Sequence, residues 1–182
     1  MSSDDLEILA YANLRGVECP FVRPSHLATD SAETSDVLKH ACDYYIEEIG
    51  YKVDAVVCLQ PTSPLRTSED IDSAIDMYVQ NPKQSVVSLT EAKEYPVLMR
   101  LVRDGLVVPY DAKMAGVGRR QEYEPIYVLN GAIYVTPCNV LMSGKILAEE
   151  TRPYIMPRER SIDVDSYEDI RLAEYLLRNV SR

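Results

Sequence analysis

Residues 55–59, Ala-Val-Val-Cys-Leu, form an apolar run with no polar alternation. A strand with one wet face alternates, so a short unbroken run predicts a strand covered on both faces, as in a parallel sheet flanked by helices. The sequence on either side carries the same constraint. A helix is predicted from Thr34-Ser35-Asp36, with Val37, Leu38, Ala41, Tyr45 and Ile49 at helical spacing and Gly50 as its stop. After the apolar run, a helix capped by Thr67 or Ser68 runs to about Gln80, where Asn81-Pro82 ends it. Ser85 to Leu89 reads as a further strand. This alternation predicts an α/β fold, a three-layer α/β/α arrangement with a doubly wound, mostly parallel sheet.

The remaining chain adds edges to that frame. A first helix is predicted from Ser3 or Asp4 to Gly16, with Leu6, Ile8, Leu9, Ala12 and Leu14 as its apolar face, followed by an extended piece over Val17 to Val22. Leu98 to Val108 reads as a hairpin turning at Asp104-Gly105. The polar stretch from Pro109 to Pro125, with Arg119, Arg120 and Gln121, is long for a plain connection and reads as a functional loop or an interaction arm. Val128 to Val135 returns to the sheet. Ser166 with Asp169 forms a capping box for a final helix whose core face is Ile170, Ala173, Leu176 and Leu177. Residues 1–182 read as a single domain.

Bulk properties exclude whole classes of function. The formal net charge is -10, which argues against a nucleic-acid binder needing a basic face for phosphates. No stretch approaches the run of about 20 apolar residues that crosses a bilayer, and Met1-Ser2-Ser3-Asp4-Asp5 is too acidic for a secretory signal. Cys19, Cys42, Cys58 and Cys138 show no paired spacing and read as reduced, cytoplasmic thiols, mostly small core residues. His26 and His40 read as surface residues.

Three segments could carry chemistry. In Asp163-Val164-Asp165, residues two apart in an extended segment point the same way, so two carboxylates face one point just before a helix. That suits Mg²⁺, which takes one or two carboxylates plus phosphate oxygens and water. It equally suits a helix entry, where extra acids are favourable on dipole grounds. The loop Gln60-Pro61-Thr62-Ser63-Pro64-Leu65-Arg66 leaves the carboxyl end of a strand, where open α/β sheets place ligands. Gln60 offers donors and acceptors there, and Arg66 suits either an anion or a structural salt bridge. At Asn130-Gly131, glycine permits close backbone approach and the amide suits a polyol, but a bulge within a strand pair fits the same dipeptide. Of the 13 tyrosines, most read as packing residues, and Tyr134 is singled out.

Read together, these segments resemble the acylneuraminate cytidylyltransferases, or CMP-sialic acid synthetases. The resemblance rests on residues 23–30 (Arg-Pro-Ser-His-Leu-Ala-Thr-Asp), 59–66 (Leu-Gln-Pro-Thr-Ser-Pro-Leu-Arg), Arg120-Gln121, 130–134 (Asn-Gly-Ala-Ile-Tyr) and 161–165 (Ser-Ile-Asp-Val-Asp) with Asp169 following. It implies a nucleotide-diphospho-sugar transferase-like fold and the joining of CMP, from CTP, to an acidic nine-carbon sugar with release of pyrophosphate. It implies that Arg23, Ala32 and Thr34 lie near the nucleotide, and that Gln60, Asn130, Tyr134 and Arg120 hold the sugar. Asp163 and Asp165 would carry Mg²⁺, with Asp165 the more direct ligand. Residues 95–125 would form a dimerisation arm, Arg120 within it, giving a homodimer with shared active sites. The family opens with a phosphate-binding βαβ unit, Ala-Arg-x-Gly-Ser-Lys in type, that this sequence does not contain. That departure makes a non-catalytic, dimerising remnant the alternative expectation. Leu98 and Val128 stand where some relatives carry basic residues, which bears on the choice of sugar.

Overall fold

The computed structural model describes residues 1–111 and 124–180. Its helices are α1 (Leu6–Leu14), α2 (Thr34–Glu47), α3 (Ser68–Gln80), α4 (Cys138–Met142) and α5 (Tyr167–Val180). Its strands are β1 (Ala55–Cys58), β2 (Ser85–Glu91), β3 (Arg100–Arg103), β4 (Leu106–Pro109), β5 (Tyr127–Pro137) and β6 (Thr151–Ile155). Four of them form a sheet in the order β1-β5-β2-β6, and β3 pairs with β4 in a separate hairpin.

The chain divides into two compact units. One comprises Met1–Gln60, Ser68–Val87 and Ile133–Pro153; the other comprises Pro61–Thr67, Ser88–Ala132 and Tyr154–Arg182. In the first unit α2 packs on β1 and α4, and the core is built from Leu9, Ala12, Cys42, Ala74, Val86, Ile133, Val135 and Leu141. The Tyr78 hydroxyl donates to the Asp54 carbonyl at 3.2 Å, tying α3 to the start of β1. Cys42 and Cys138 bring their sulfurs to 3.6 Å as free thiols. Burial, and then the hydrogen bond shared with Cys138, push the Cys42 thiol up to about 12, so it stays protonated as a core residue. In the second unit Leu65, Ala92, Tyr95, Val97, Ala132, Met156 and Ala173 are buried.

Several expectations hold with small shifts. The hairpin turns at Asp104 and Gly105, both with positive φ (51° and 77°), the two-residue geometry whose twist matches the strands. The α/β class and the long central helices stand as read. Others need correction. The α1 cap is Asp5, whose carboxylate accepts from Glu7 N at 2.7 Å and Ile8 N at 3.1 Å, and only Leu9 and Ala12 of its expected face are buried. The β1 residues are half-buried rather than covered on both faces, and β1 pairs antiparallel with β5, setting Cys58 opposite Tyr134. Among the described residues β1 ends the sheet, and an apolar run cannot report a strand's place in the sheet order. The fully covered strand is β2, buried from Ser85 to Ser88. His40 is half-buried, its ring 4.9 Å from that of Phe21. Helix α5 buries only Ala173 of its expected face, while Ile170 and Leu177 stay exposed. No described helix is long and apolar enough to cross a membrane.

Candidate active site

In the second unit hydrogen bonds link residues 61–67, 130–132 and 161–165, and the buried side chain of Asn130 lies among them. It is 4% exposed near the start of β5. Its Oδ1 accepts from Ser88 Oγ at 2.6 Å and from Ala132 N at 3.2 Å. Its Nδ2 donates to Ser161 Oγ at 2.9 Å and to Met156 Sδ at 3.3 Å. Both donors and both acceptor positions of the amide are therefore engaged by protein. The Asn130 carbonyl takes a further bond, from Ser63 Oγ at 3.4 Å, and Arg66 Nη1 donates to the Ala132 carbonyl at 2.5 Å. These last two bonds fix the Pro61–Thr67 loop to the Asn130-Gly131-Ala132 backbone. Gly131 has φ +71°, a conformation that costs a side-chain-bearing residue.

The acidic segment is held to the same loop. Val164 N donates to the Thr62 carbonyl at 2.8 Å. Val164 is half-buried, whereas Asp163 and Asp165 are exposed on either side of it. This is the alternation expected of an extended segment, with two carboxylates presented away from the anchoring residue. The segment is stopped by the α5 cap. Ser166 Oγ and the backbone N of Ser166 and Asp165 donate to Asp169 Oδ2 at 2.6, 2.9 and 3.2 Å, and Asp169 N donates back to Ser166 Oγ at 3.3 Å. The Ser166 hydroxyl bond, with the backbone amides behind it, holds the Asp169 carboxyl below its ordinary value. Asp169 is thus committed to the cap, leaving Asp163 and Asp165 as the acids available to a ligand. Two carboxylates fit Mg²⁺ shared with substrate phosphates, and among the described residues no cluster of three or more ligands forms a self-sufficient metal cage.

Behind this segment lies a groove of about 360 Å³, lined by Pro61, Thr62, Pro64, Val164, Ile170 and Ala173 among others. Its walls are largely apolar and include neither aspartate of the pair.

The first unit holds the other residues singled out from sequence. Gln60 is half-buried two residues beyond β1, and Tyr134 is half-buried on β5. Arg23 is fixed by the N-terminal segment: its Nε donates to Ser2 Oγ at 3.1 Å, its Nη2 to the Ser2 carbonyl at 2.5 Å, and its backbone N to the Ser3 carbonyl at 2.8 Å. Ala32 closes a turn onto the Thr29 carbonyl at 3.0 Å, and Thr34 opens α2. Arg120 lies outside the described residues.

Sequence reasoning missed Ser63, Ser88, Ser161 and Met156, which complete the Asn130 network. One signal was present: Ser88 interrupts an apolar strand, and a hydroxyl at such a place needs an internal partner.

A scan of family profiles finds no match. The CMP-N,N'-diacetyllegionaminic acid synthase of Legionella pneumophila is 32% identical over 183 residues, an alignment covering 97% of this chain and 76% of the relative. The chain belongs to the acylneuraminate cytidylyltransferase family. A pseudaminic acid cytidylyltransferase of Campylobacter jejuni is 28% identical over 179 residues, with 76% of its length covered. An N-acylneuraminate cytidylyltransferase of Streptococcus agalactiae is 33% identical over 159 residues, of which this chain spans 36%. The solved structure of CMP:2-keto-3-deoxy-manno-octonic acid synthetase complexed with CTP superposes with a TM-score of 0.65 at 14% identity, over 98% of this chain and 79% of that one, which establishes the shared fold.

Two outcomes follow for this cytidylyltransferase-family chain. Asn130→Ala strands the Ala132 amide and removes a partner from two serines, so urea denaturation is expected to show a loss of about 3 kcal/mol. A lowered carboxylate pKa contributes stability present above the ordinary value and lost as pH falls through the lowered one. Asp169→Asn is therefore expected to unfold at lower urea than the wild type at pH 7, and the gap should close below about pH 4.

Proposed function

We propose that the chain transfers CMP from CTP to an acidic nine-carbon sugar of the nonulosonic class, releasing pyrophosphate. The observation that carries this reading is the tether between Val164 and Thr62, which sets two exposed aspartates beside the Pro61–Thr67 loop in a chain of cytidylyltransferase lineage. In the reaction the sugar's anomeric hydroxyl attacks the α-phosphorus of CTP and pyrophosphate departs in line. The protein's part is positioning and charge stabilisation.

In this reading Asp163 and Asp165 hold Mg²⁺, Asp165 more directly, and the ion would neutralise charge growing on the phosphoryl oxygens. Arg23, Ala32 and Thr34 serve the nucleotide; the bonds to Ser2 hold the Arg23 charge in a fixed place. Gln60, Tyr134 and Arg120 contact the sugar. Asn130, whose amide is fully engaged, contributes by shaping the backbone at Gly131. Reduced thiols and a nucleotide substrate suit the cytoplasm.

A homodimer built through residues 95–125 completes the proposal. The β3–β4 hairpin exposes Val102, Leu106 and Val107 at 76%, 68% and 69%, and Leu98 and Tyr110 are exposed beside them. Val102 and Val107 pair across the hairpin on one face; apolar side chains displayed together in this way mark an interaction surface, and a self-complementary patch makes a two-fold dimer.

Two experiments test this. In calorimetry CTP is expected to bind more tightly with Mg²⁺ present than without it, and Asp165→Ala is expected to cut CMP transfer by about a thousandfold with an unchanged circular dichroism spectrum. Retained turnover would defeat the metal assignment. In sedimentation, Val102→Asp with Val107→Asp is expected to convert a two-chain species to a single chain; an unchanged mass would remove the arm from the interface.

A further inference from the structure

We propose that Ser161 is a positioning residue for the Asp163–Asp165 pair, acting through the buried Asn130 amide. The inference rests on the reading of those two aspartates as metal carboxylates.

The orientation of the Asn130 amide is set from inside. The Ala132 N–H is a donor with no second choice of role, so the atom facing it at 3.2 Å must be Oδ1. Nδ2 must then face Ser161 Oγ, 2.9 Å away. The Ser161 hydroxyl accepts that bond and donates its own proton to the Pro157 carbonyl at 2.8 Å. It therefore has one fixed rotamer, and it pins the C-terminal end of the short helical turn Arg158–Arg160 to β5.

Asp163 follows two residues later, and Val164 is fixed next by its bond to Thr62. The stretch between the Ser161 and Val164 tethers is too short to drift, so the Asp163 carboxylate is held from both sides. Asp165 is held between the Val164 tether and the Asp169 cap. Removing the Ser161 hydroxyl would release the first of these tethers alone. Nδ2 would keep only the Met156 sulfur and its other proton would lose its partner, and the 158–160 turn would lose its side-chain closure. Partners that orient metal ligands without touching the metal commonly affect affinity by tenfold or more.

The test compares wild type, Ser161→Ala, Ser161→Thr and Asp165→Ala by calorimetry, titrating CTP with and without Mn²⁺ and measuring thermal stability on the same samples. Ser161→Ala is expected to weaken Mn²⁺-supported CTP binding about tenfold, to leave metal-free CTP binding at the wild-type value, and to be rescued by Ser161→Thr, which keeps the hydroxyl. Wild-type Mn²⁺ dependence in Ser161→Ala overturns the proposal, as does an equal weakening with and without Mn²⁺, which would mark Ser161 as structural only. If Asp165→Ala shows the same Mn²⁺ dependence as wild type, the metal reading itself falls and this inference falls with it.

Discussion

A primary amide is tolerated in a protein interior only when its two donors and two acceptor positions all find partners, because each one left bare costs a buried hydrogen bond. Asn130 meets that condition with groups from β2, β5, the end of β6 and the turn that follows it. The rest of the second unit's site geometry depends on it. The Pro61–Thr67 loop bonds to its carbonyl, and the acidic segment begins at the serine its amide holds. An apolar residue of similar volume would fill the space and lose the register, since only directed bonds distinguish one placement of these segments from another.

Fold class was legible because it rests on periodicity. The helical spacing of Val37, Leu38, Ala41 and Tyr45, and the stop at Asn81-Pro82, report local chain geometry that tertiary packing does not overrule. Asp104-Gly105 was legible for a similar reason: two successive positive φ angles favour those residue types wherever they occur. Sheet order was not legible. The run at 55–58 fits an end strand and a central strand equally well, because hydrophobicity reports what covers a strand's faces and says nothing of its hydrogen-bonded flanks. Short β6 and the five-residue α4 escaped for want of length, since neither spans enough residues to show a period.

The candidate site was legible where its parts are exposed and illegible where they are buried. Asp163-Val164-Asp165 was found from its alternation, and the capping box from the spacing of Ser166 and Asp169, both local patterns. The serines that bind these parts together were missed because a single buried hydroxyl has no periodicity. Ser63, Ser88 and Ser161 are separated by tens of residues, and only the fold makes them neighbours of one amide. Asn130-Gly131 was read as either a group for a polyol or a bulge within a strand pair. The amide is buried and faces inward, where the Ala132 amide finds its acceptor.

This arrangement also explains how an acidic chain can serve an anionic nucleotide. The net charge of -10 opposes CTP at long range, but screening at physiological salt confines that repulsion to about 8 Å. What decides binding is the local arrangement, and there the acids are sorted by role. Asp169 is neutralised in effect by three donors and serves α5. Among the described residues Asp163 and Asp165 have no such donors, and in the proposed reading a divalent cation between them and a triphosphate would turn two repulsive charges into ligands. The same sorting makes the site sensitive to geometry rather than to total charge. Two carboxylates displaced by an ångström still attract a cation, but they no longer share it with a phosphate at the short distances that Mg²⁺ requires.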